Sequence, residues 1–372
     1  MTPRERILAI YAGKTPDAVP FMLDLSHWFY HKNRQPWDLS QAYLSPEHDL
    51  INYHRQHGIG FYLPNLASFY DVTHTSDVRA TVTKDEADGI EIVWRYDTPI
   101  GSIERRRQWS EETYSWHVSG WGVSTEQGLR VLGYALSRRQ FKPAWQRYQP
   151  WIDAVGDTGV VYMSAGYSAM GFLLNYWMGI EQVMYAAADW TRTLHEVVDT
   201  INENCLELIG LLCQGPAPIV IMGDNFSSDI QSPAFFREWS RPFYERAIQR
   251  LHRAGKFVAV HIDGRLRGML NAFAELSADC VDAVTPRPMG DLTPTECRDE
   301  AGPNLILSGG VSPTLWLPDA SDADFRQAML DWLELRKRSP RLIANAGDQV
   351  PPHAVEDRIL LARDLVERHG RY

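Results

Sequence analysis

The sequence has few cysteines, and they form no pattern. Its four, Cys205, Cys213, Cys280 and Cys297, include no Cys-x-x-Cys pair, so neither a disulfide framework nor a cysteine-rich zinc knuckle is indicated. Reduced, mostly buried thiols are expected. No apolar run approaches the ~20 residues that span a bilayer, and the opening Met1-Thr2-Pro3-Arg4-Glu5-Arg6-Ile7 is charged and helical in character. Both features point to a cytoplasmic protein with no membrane partner. A basic excess is missing too. Lys and Arg number 37 against 47 Asp and Glu, a net charge of −10 with histidine neutral, and such a surface repels polyanions and argues against nucleic acid as a partner. Disorder is equally disfavoured, since 44% hydrophobic and 23% charged residues are ordinary for a globular chain.

Aromatic residues, by contrast, are plentiful: 13 Trp, 16 Tyr and 13 Phe in 372 residues. At this density they fill a core, and some can line an apolar pocket. The second half alternates short apolar runs rich in β-branched residues with longer segments of helical spacing, the sequence form of successive β-α units. The runs read as strands are Val160–Met163, Ile219–Met222, Phe257–Val260, Val281–Val284, Leu305–Leu307 and Leu342–Ala344, with Phe21–Leu25 and Gly60–Leu63 nearer the start. Each is nearly all apolar, as strands buried on both faces must be. Helices are expected from near Thr193, Pro233, Leu266, Asp322 and Pro352. Eight such strands predict a single-domain (β/α)8 TIM barrel over 1–372, with its chemistry at the C-terminal strand ends. From about Val78 to Trp116 the pattern changes to β-formers separated by turn signals at Ala87-Asp88-Gly89 and Thr98-Pro99-Ile100-Gly101, an antiparallel β excursion from the barrel. Its Arg105-Arg106-Arg107 run reads as a solvated strand edge rather than an anion site.

Ionisable and small polar residues follow the apolar runs. Asp24 and His27 come first, then Ser164 and Tyr167, Asp224 and Asn225, His261 and Asp263, Thr285, Ser308-Gly309-Gly310, and finally Asn345 and Asp348. His261 and Asp263 are two apart on one strand, so both side chains face the same way, roughly 6–7 Å apart along the backbone, and can reach one metal ion or one substrate. Gly264 permits a tight exit from that strand. Burying unpaired carboxylates costs several kcal/mol, so the gathering of Asp224, Asp263 and Asp348 on one rim favours a site. Asp224-Asn225 reads equally well as a helix cap. Gly309 and Gly310 suit an anion held on backbone amides, or serve only the turn. Asp24 could simply be paired with a neighbouring strand. Trp28, Tyr30, Phe61, Tyr62 and Tyr167 are candidate pocket walls, with plain core as the competing reading.

Taken in order, several motifs resemble the uroporphyrinogen decarboxylase superfamily, and they span most of the chain. They are Arg4-Glu5-Arg6-Ile7-Leu8-Ala9-Ile10, Val19-Pro20-Phe21, Thr98-Pro99-Ile100-Gly101-Ser102 and Gly223-Asp224-Asn225 with Ser232-Pro233-Ala234-Phe235-Phe236. His261-Ile262-Asp263-Gly264, Ser308-Gly309-Gly310-Val311 and Asn345-Ala346-Gly347-Asp348-Gln349-Val350-Pro351-Pro352 complete the set. The superfamily joins decarboxylases to cobalamin-linked methyltransferases. True uroporphyrinogen decarboxylases carry Arg-Gln-Ala-Gly-Arg after the first strand, to hold tetrapyrrole carboxylates. Here that stretch is Asp24-Leu25-Ser26-His27-Trp28-Phe29-Tyr30, with the nearest arginine at Arg34, which argues against porphyrinogen decarboxylation. In the methyltransferase branch zinc is held by His-x-Cys on the fifth strand and a cysteine after the eighth. The matching positions are His261, Asp263 and Asp348. With two carboxylates in place of two thiolates, the set suits zinc or another, harder divalent cation with bound water, or no metal, with Asp263 and Asp348 as acid and base.

The resemblance implies, first, a methyltransferase-type enzyme acting on a methylated small molecule or a methyl-corrinoid, the corrinoid carried by the substrate or a partner protein. In that reading His261, Asp263 and Asp348 polarise the reacting group, with Asp224 as a further catalytic candidate and Asp24, His27, Trp28, Tyr167, Asn225, Gly309 and Gly310 contacting substrate. The alternatives are a decarboxylase or lyase on a smaller carboxylated substrate, and a non-catalytic ligand-binding barrel. Homodimerisation is compatible with the family.

Overall fold

Eight short strands carry the architecture. In the computed structural model, which describes residues 1–35, 37–85 and 90–372, they are β1 (Met22–Leu23), β2 (Gly60–Phe61), β3 (Met163–Ser164), β4 (Ile219–Phe226), β5 (Phe257–Ile262), β6 (Cys280–Val284), β7 (Ile306–Val311) and β8 (Leu342–Ala346). β3 to β8 form one parallel sheet in sequence order. β1 and β2 pair in parallel, and single parallel bridges join this pair to the sheet at both edges, Phe61 to Gly159 ahead of β3 and Phe21 to Ala344 of β8. The ring is thereby closed as the eight-stranded barrel that the apolar runs predict, although β1, β2 and β3 are cut to two residues each.

Alternation along the strands decides what fills the barrel. Met22, Ile219, Ile221, Ala259, Cys280, Ile306 and Ile343 pack together on its axis, and the helix Pro3–Tyr11 plugs this cluster from below through Ile7, Ile10 and Tyr11. The plug is secured by a capping box between Thr2 and Glu5 and by Tyr11 meeting the Tyr162 hydroxyl at 3.2 Å. Residues one position along, such as Val220, Val258, Val260, Val281 and Leu307, face outward against the helices. Two residues further up each strand the inward position turns polar: His261 after Ala259, Asp282 after Cys280, Ser308 after Ile306 and Asn345 after Ile343. Parity therefore assembles a polar layer at the C-terminal end of an otherwise apolar barrel.

The outer helices include Thr191–Leu212, Pro233–Trp239, Arg241–Arg253, Asp322–Glu334 and Glu356–His369. Those expected near Leu266 and Pro352 begin three and four residues later, at Met269 and Glu356. The excursion is a four-stranded antiparallel meander, Arg79–Asp85, Glu91–Thr98, Gly101–Ser110 and Ser115–Gly120, beside a further pair, Tyr70–His74 with Arg139–Pro143. The expected turn at Thr98–Gly101 is present, with the Thr98 hydroxyl donating to the Gly101 carbonyl at 2.8 Å. The turn at Ala87-Asp88-Gly89 lies outside the described residues. One expectation fails here. Gly101–Ser110 is an interior strand, paired on both sides, so its arginine run is no solvated edge. Arg105 is 7% exposed and Arg107 half-buried, while Arg106 alone faces solvent.

The four cysteines are free and three are buried, Cys280 within β6 as the sequence reading expects. Among the described residues, no helix is long and apolar enough to cross a membrane.

Candidate active site

The polar layer at the strand ends opens into a cavity of about 280 Å³, lined by His261, Asp263, Asp348 and Gln349 from the barrel, Asn225 from the end of β4, Tyr167 from a loop, Asn175 and Tyr176 from the helical segment Leu173–Trp177, and Arg107 and Trp37 from above. This lies at the small end of ligand sites, too small to enclose a tetrapyrrole-sized ring. A larger groove of about 630 Å³ lies at the opposite end of the barrel, between Tyr11, Asp279, Glu300 and Arg341, and holds none of the strand-end cluster.

His261 is the centre of the cluster. Its Nδ1 lies 3.1 Å from Oδ2 of Asp282, directly beside it in the β5–β6 register, and its Nε2 faces Oδ1 of Asp348 at 4.0 Å. Asp282 is 2% exposed and accepts from the hydroxyls of Tyr62 and Ser308, the latter at 3.1 Å. With Asp282 ionised, Nδ1–H is the donor and Nε2 keeps its lone pair toward the cavity. Burial pushes the Asp282 carboxyl up to about 7 against the pull of Ser308, and lowers the His261 imidazole against the pull of Asp263. Asp348 leaves 35% of its side chain open, at the cavity it lines. Desolvation there, with the negative charge of Asp263 next to it, raises its carboxyl well above the usual range. The protonated form of Asp348 is therefore favoured relative to that of an ordinary aspartate.

Asp282 escaped the sequence reading because it sits inside the apolar run Val281–Val284. Its signal was a lone carboxylate in a strand buried on both faces, where an unpaired charge is costly.

The uroporphyrinogen decarboxylase (URO-D) family model matches residues 161–369, more than half of the chain. The chain belongs to this family. Among solved structures it is similar to a methyltransferase from Methanosarcina mazei, with TM-score 0.63, 14% identity and 99% of each chain covered, a likeness of fold. A muconate cycloisomerase from Pseudomonas fluorescens (TM-score 0.24, 9% identity, 81% of this chain and 78% of that one) is too distant to carry an argument. No curated protein matches.

The zinc set of the methyltransferase branch can be tested against these residues. Among the described residues, no three His, Cys, Asp or Glu side chains are grouped so as to hold a metal ion. Nδ1 of His261 is held by Asp282, as the second nitrogen of a ligating histidine commonly is, and Nε2 is free 4.0 Å from Asp348, while all four thiols lie elsewhere. His261, Asp263 and Asp348 share the cavity without forming the three-ligand grouping of a preformed metal centre among the described residues.

The other expected site residues divide. Tyr167 and Asn225 line the cavity, Tyr167 accepting from the Tyr176 hydroxyl at 3.2 Å and Asn225 held at φ 51°. Asp224 turns away into the wall, where it accepts from the amide of Ser168 at 2.7 Å and from its hydroxyl, and burial raises its carboxyl to about 6. Asp24 is buried on Ser26, at 2.9 Å from its amide and 2.6 Å from its hydroxyl, and accepts from cavity-lining Gln349 at 3.2 Å. It stands behind the site rather than in it. His27 bonds the Tyr114 carbonyl at 2.7 Å, and Trp28 donates to the Ala354 carbonyl at 3.1 Å, so neither faces the cavity. Tyr30 and Phe61 are core, and Tyr62 lies beneath the floor on Asp282. Gly309 and Gly310 are buried in strand contacts. A Cβ on Gly309 would fall 2.2 Å from the Val284 carbonyl, and one on Gly310 2.9 Å from that of Asn345, so close strand packing accounts for both.

Proposed function

We propose that the protein is a metal-independent acid–base enzyme of the decarboxylase or lyase type, acting on a small carboxylated substrate. The observation that carries this reading is the Asp348 carboxyl, 4.0 Å from the free nitrogen of a histidine anchored by Asp282, where burial and the charge of Asp263 favour its protonated form. A buried acid beside an oriented base is what proton transfer at carbon requires. In the reaction the bond from the substrate carbon to its carboxylate breaks, CO2 leaves with that carbon's former bond electrons remaining behind, and Asp348 delivers its proton to the carbanion. His261 Nε2 then relays a proton from solvent back to Asp348. A neighbouring carbonyl or ring on the substrate delocalises the electron pair. The test is CO2 release from a panel of small β-keto and aromatic carboxylates before and after exhaustive chelation. Turnover that survives chelation and collapses in Asp348→Asn supports the reading; turnover that needs added metal sinks it.

A second reading, methyl transfer, is favoured by the aromatic walls Trp37, Tyr43, Tyr167 and Tyr176, which suit a methylated ammonium group. Transfer of a methyl group from such a substrate to a corrinoid, with no CO2 formed from any carboxylate, would select it over the first.

A further inference from the structure

Arg105, Arg106 and Arg107 sit on one strand, and their side chains alternate. Arg106 reaches solvent, between Glu91 at 3.0 Å and Glu104 at 2.7 Å. Arg105 and Arg107 turn to the other face, roughly 6–7 Å apart by strand geometry, with guanidinium carbons 4.6 and 5.0 Å from the Tyr176 ring centroid. Arg105 also stacks on Trp94 at 3.9 Å, and its Nε and Nη1 are buried without a partner. Arg107 gives one Nη2 hydrogen to the Asn175 carbonyl at 2.8 Å, while its buried Nε has no partner. Neither forms an ion pair with a carboxylate among the described residues.

Two like charges have thus been brought together, Arg105 buried and Arg107 half-buried, facing the cavity side of the sheet without a counter-ion among the described residues. Such an arrangement is costly, and the aromatic faces offset it only in part. Acidic partners are not scarce on this sheet, since Arg106 has two. An anion arriving from the cavity that Arg107 lines would restore the balance.

We propose that Arg107 is the substrate anchor of this cavity and that it binds a carboxylate group of the substrate, with Arg105 behind it reinforcing the positive potential. A guanidinium edge matches a carboxylate in a forked pair. A phosphate dianion would fit less well beside Asp263 and Asp348 in a space of about 280 Å³. This rests on the acid–base reading for the remainder of the cavity and adds to it a specificity-determining residue on the inserted sheet.

The experiment is titration of the wild-type protein with acetate, malonate and succinate, and separately with inorganic phosphate, at constant ionic strength, followed by calorimetry. The expected result is binding of at least one carboxylate, weakened tenfold or more in Arg107→Gln and less in Arg107→Lys. In Asp348→Asn the binding persists, so failure of the acid–base reading and failure of the anchor are told apart. Unchanged affinity in Arg107→Gln, tighter binding of phosphate than of every carboxylate, or no carboxylate binding to the wild type would each overturn the proposal. Should Arg107→Gln fail to fold, butanedione modification of the wild-type protein supplies the answer. Protection of the Arg107 peptide by the bound carboxylate supports the anchor, and equal modification with and without it refutes it.

Discussion

Strands β5 to β8 deliver His261, Asp282, Ser308 and Asn345 by their place in a repeat, each one inward position above an apolar residue. The inserted sheet delivers Arg105 and Arg107 by simple alternation along a single strand. The first region packs acids around a histidine within a barrel that is buried on all sides. The second packs cations against Trp94 and Tyr176 on a sheet whose other face is wet. One region is fixed by the geometry of a closed ring, the other is an addition that can vary without reopening it. The division suggests that reaction chemistry resides in the barrel and substrate choice in the insertion, and it can be broken by testing each region for the other's effect.

The largest effect is expected at Asp348. Asp348→Asn removes the transferable proton yet keeps the shape, and turnover should fall about 10²–10⁴-fold, with carboxylate binding retained. Because burial and Asp263 raise this carboxyl above its usual range, activity should decline as pH rises through its folded value, well above 4, and that limb should vanish in the variant. A pH–rate profile checks both. Loss of binding without loss of turnover per bound substrate would reverse the assignment of the two regions.

Asp282→Asn comes next. It leaves His261 without the carboxylate that sets its tautomer, for an expected loss of about 10–100-fold, as for outer partners that orient a histidine. It also has a stability signature. The folded carboxyl titrates at about 7, above its unfolded value, so the stability it contributes is fully present below about pH 4 and is lost as pH rises toward and through 7. The wild-type melting temperature should therefore fall relative to that of the variant across this window. Parallel curves would mean that Asp282 does not titrate there.

How much of this was legible beforehand follows the same division. The barrel was readable because apolar runs buried on both faces leave few alternatives, and His261, Asp263 and Asp348 because a rim collects what a core cannot hold. Asp282 was not, since its meaning depends on register, His261 opposite Asp282, which no single strand states. Asp224 faces away because parity runs unbroken along β4: Ile221, Gly223 and Asn225 line the cavity, and Asp224 lies one position off, in the wall. The arginine run was misread because an interior strand and an edge strand can have the same composition. Only the pairing of Gly101–Ser110 on both sides distinguishes them.

Gly309 was expected to touch substrate, and the structure gives it a packing role instead. Gly309→Ala would press a methyl group against the Val284 carbonyl in the barrel wall, 2.2 Å away before relaxation. Overpacking of this kind costs about 1–3 kcal/mol, measurable by urea unfolding. A neutral result, with weakened substrate binding, would restore the anion-cradle reading of these glycines.

The smallest effect should come from Arg106→Ala, and it sharpens the comparison most. Arg106 differs from its neighbours only in parity, and its two ion pairs are solvent-exposed, so each is screened and the loss of stability should stay below about 1 kcal/mol. Carboxylate affinity should match that of the wild type when calorimetry is repeated at equal ionic strength, whereas Arg107→Gln, one residue along, loses it. If the two variants instead lose affinity alike, the effect of the run is a diffuse field of positive charge. The specificity assigned to the inserted sheet would then belong to its net charge and not to the side that each arginine faces.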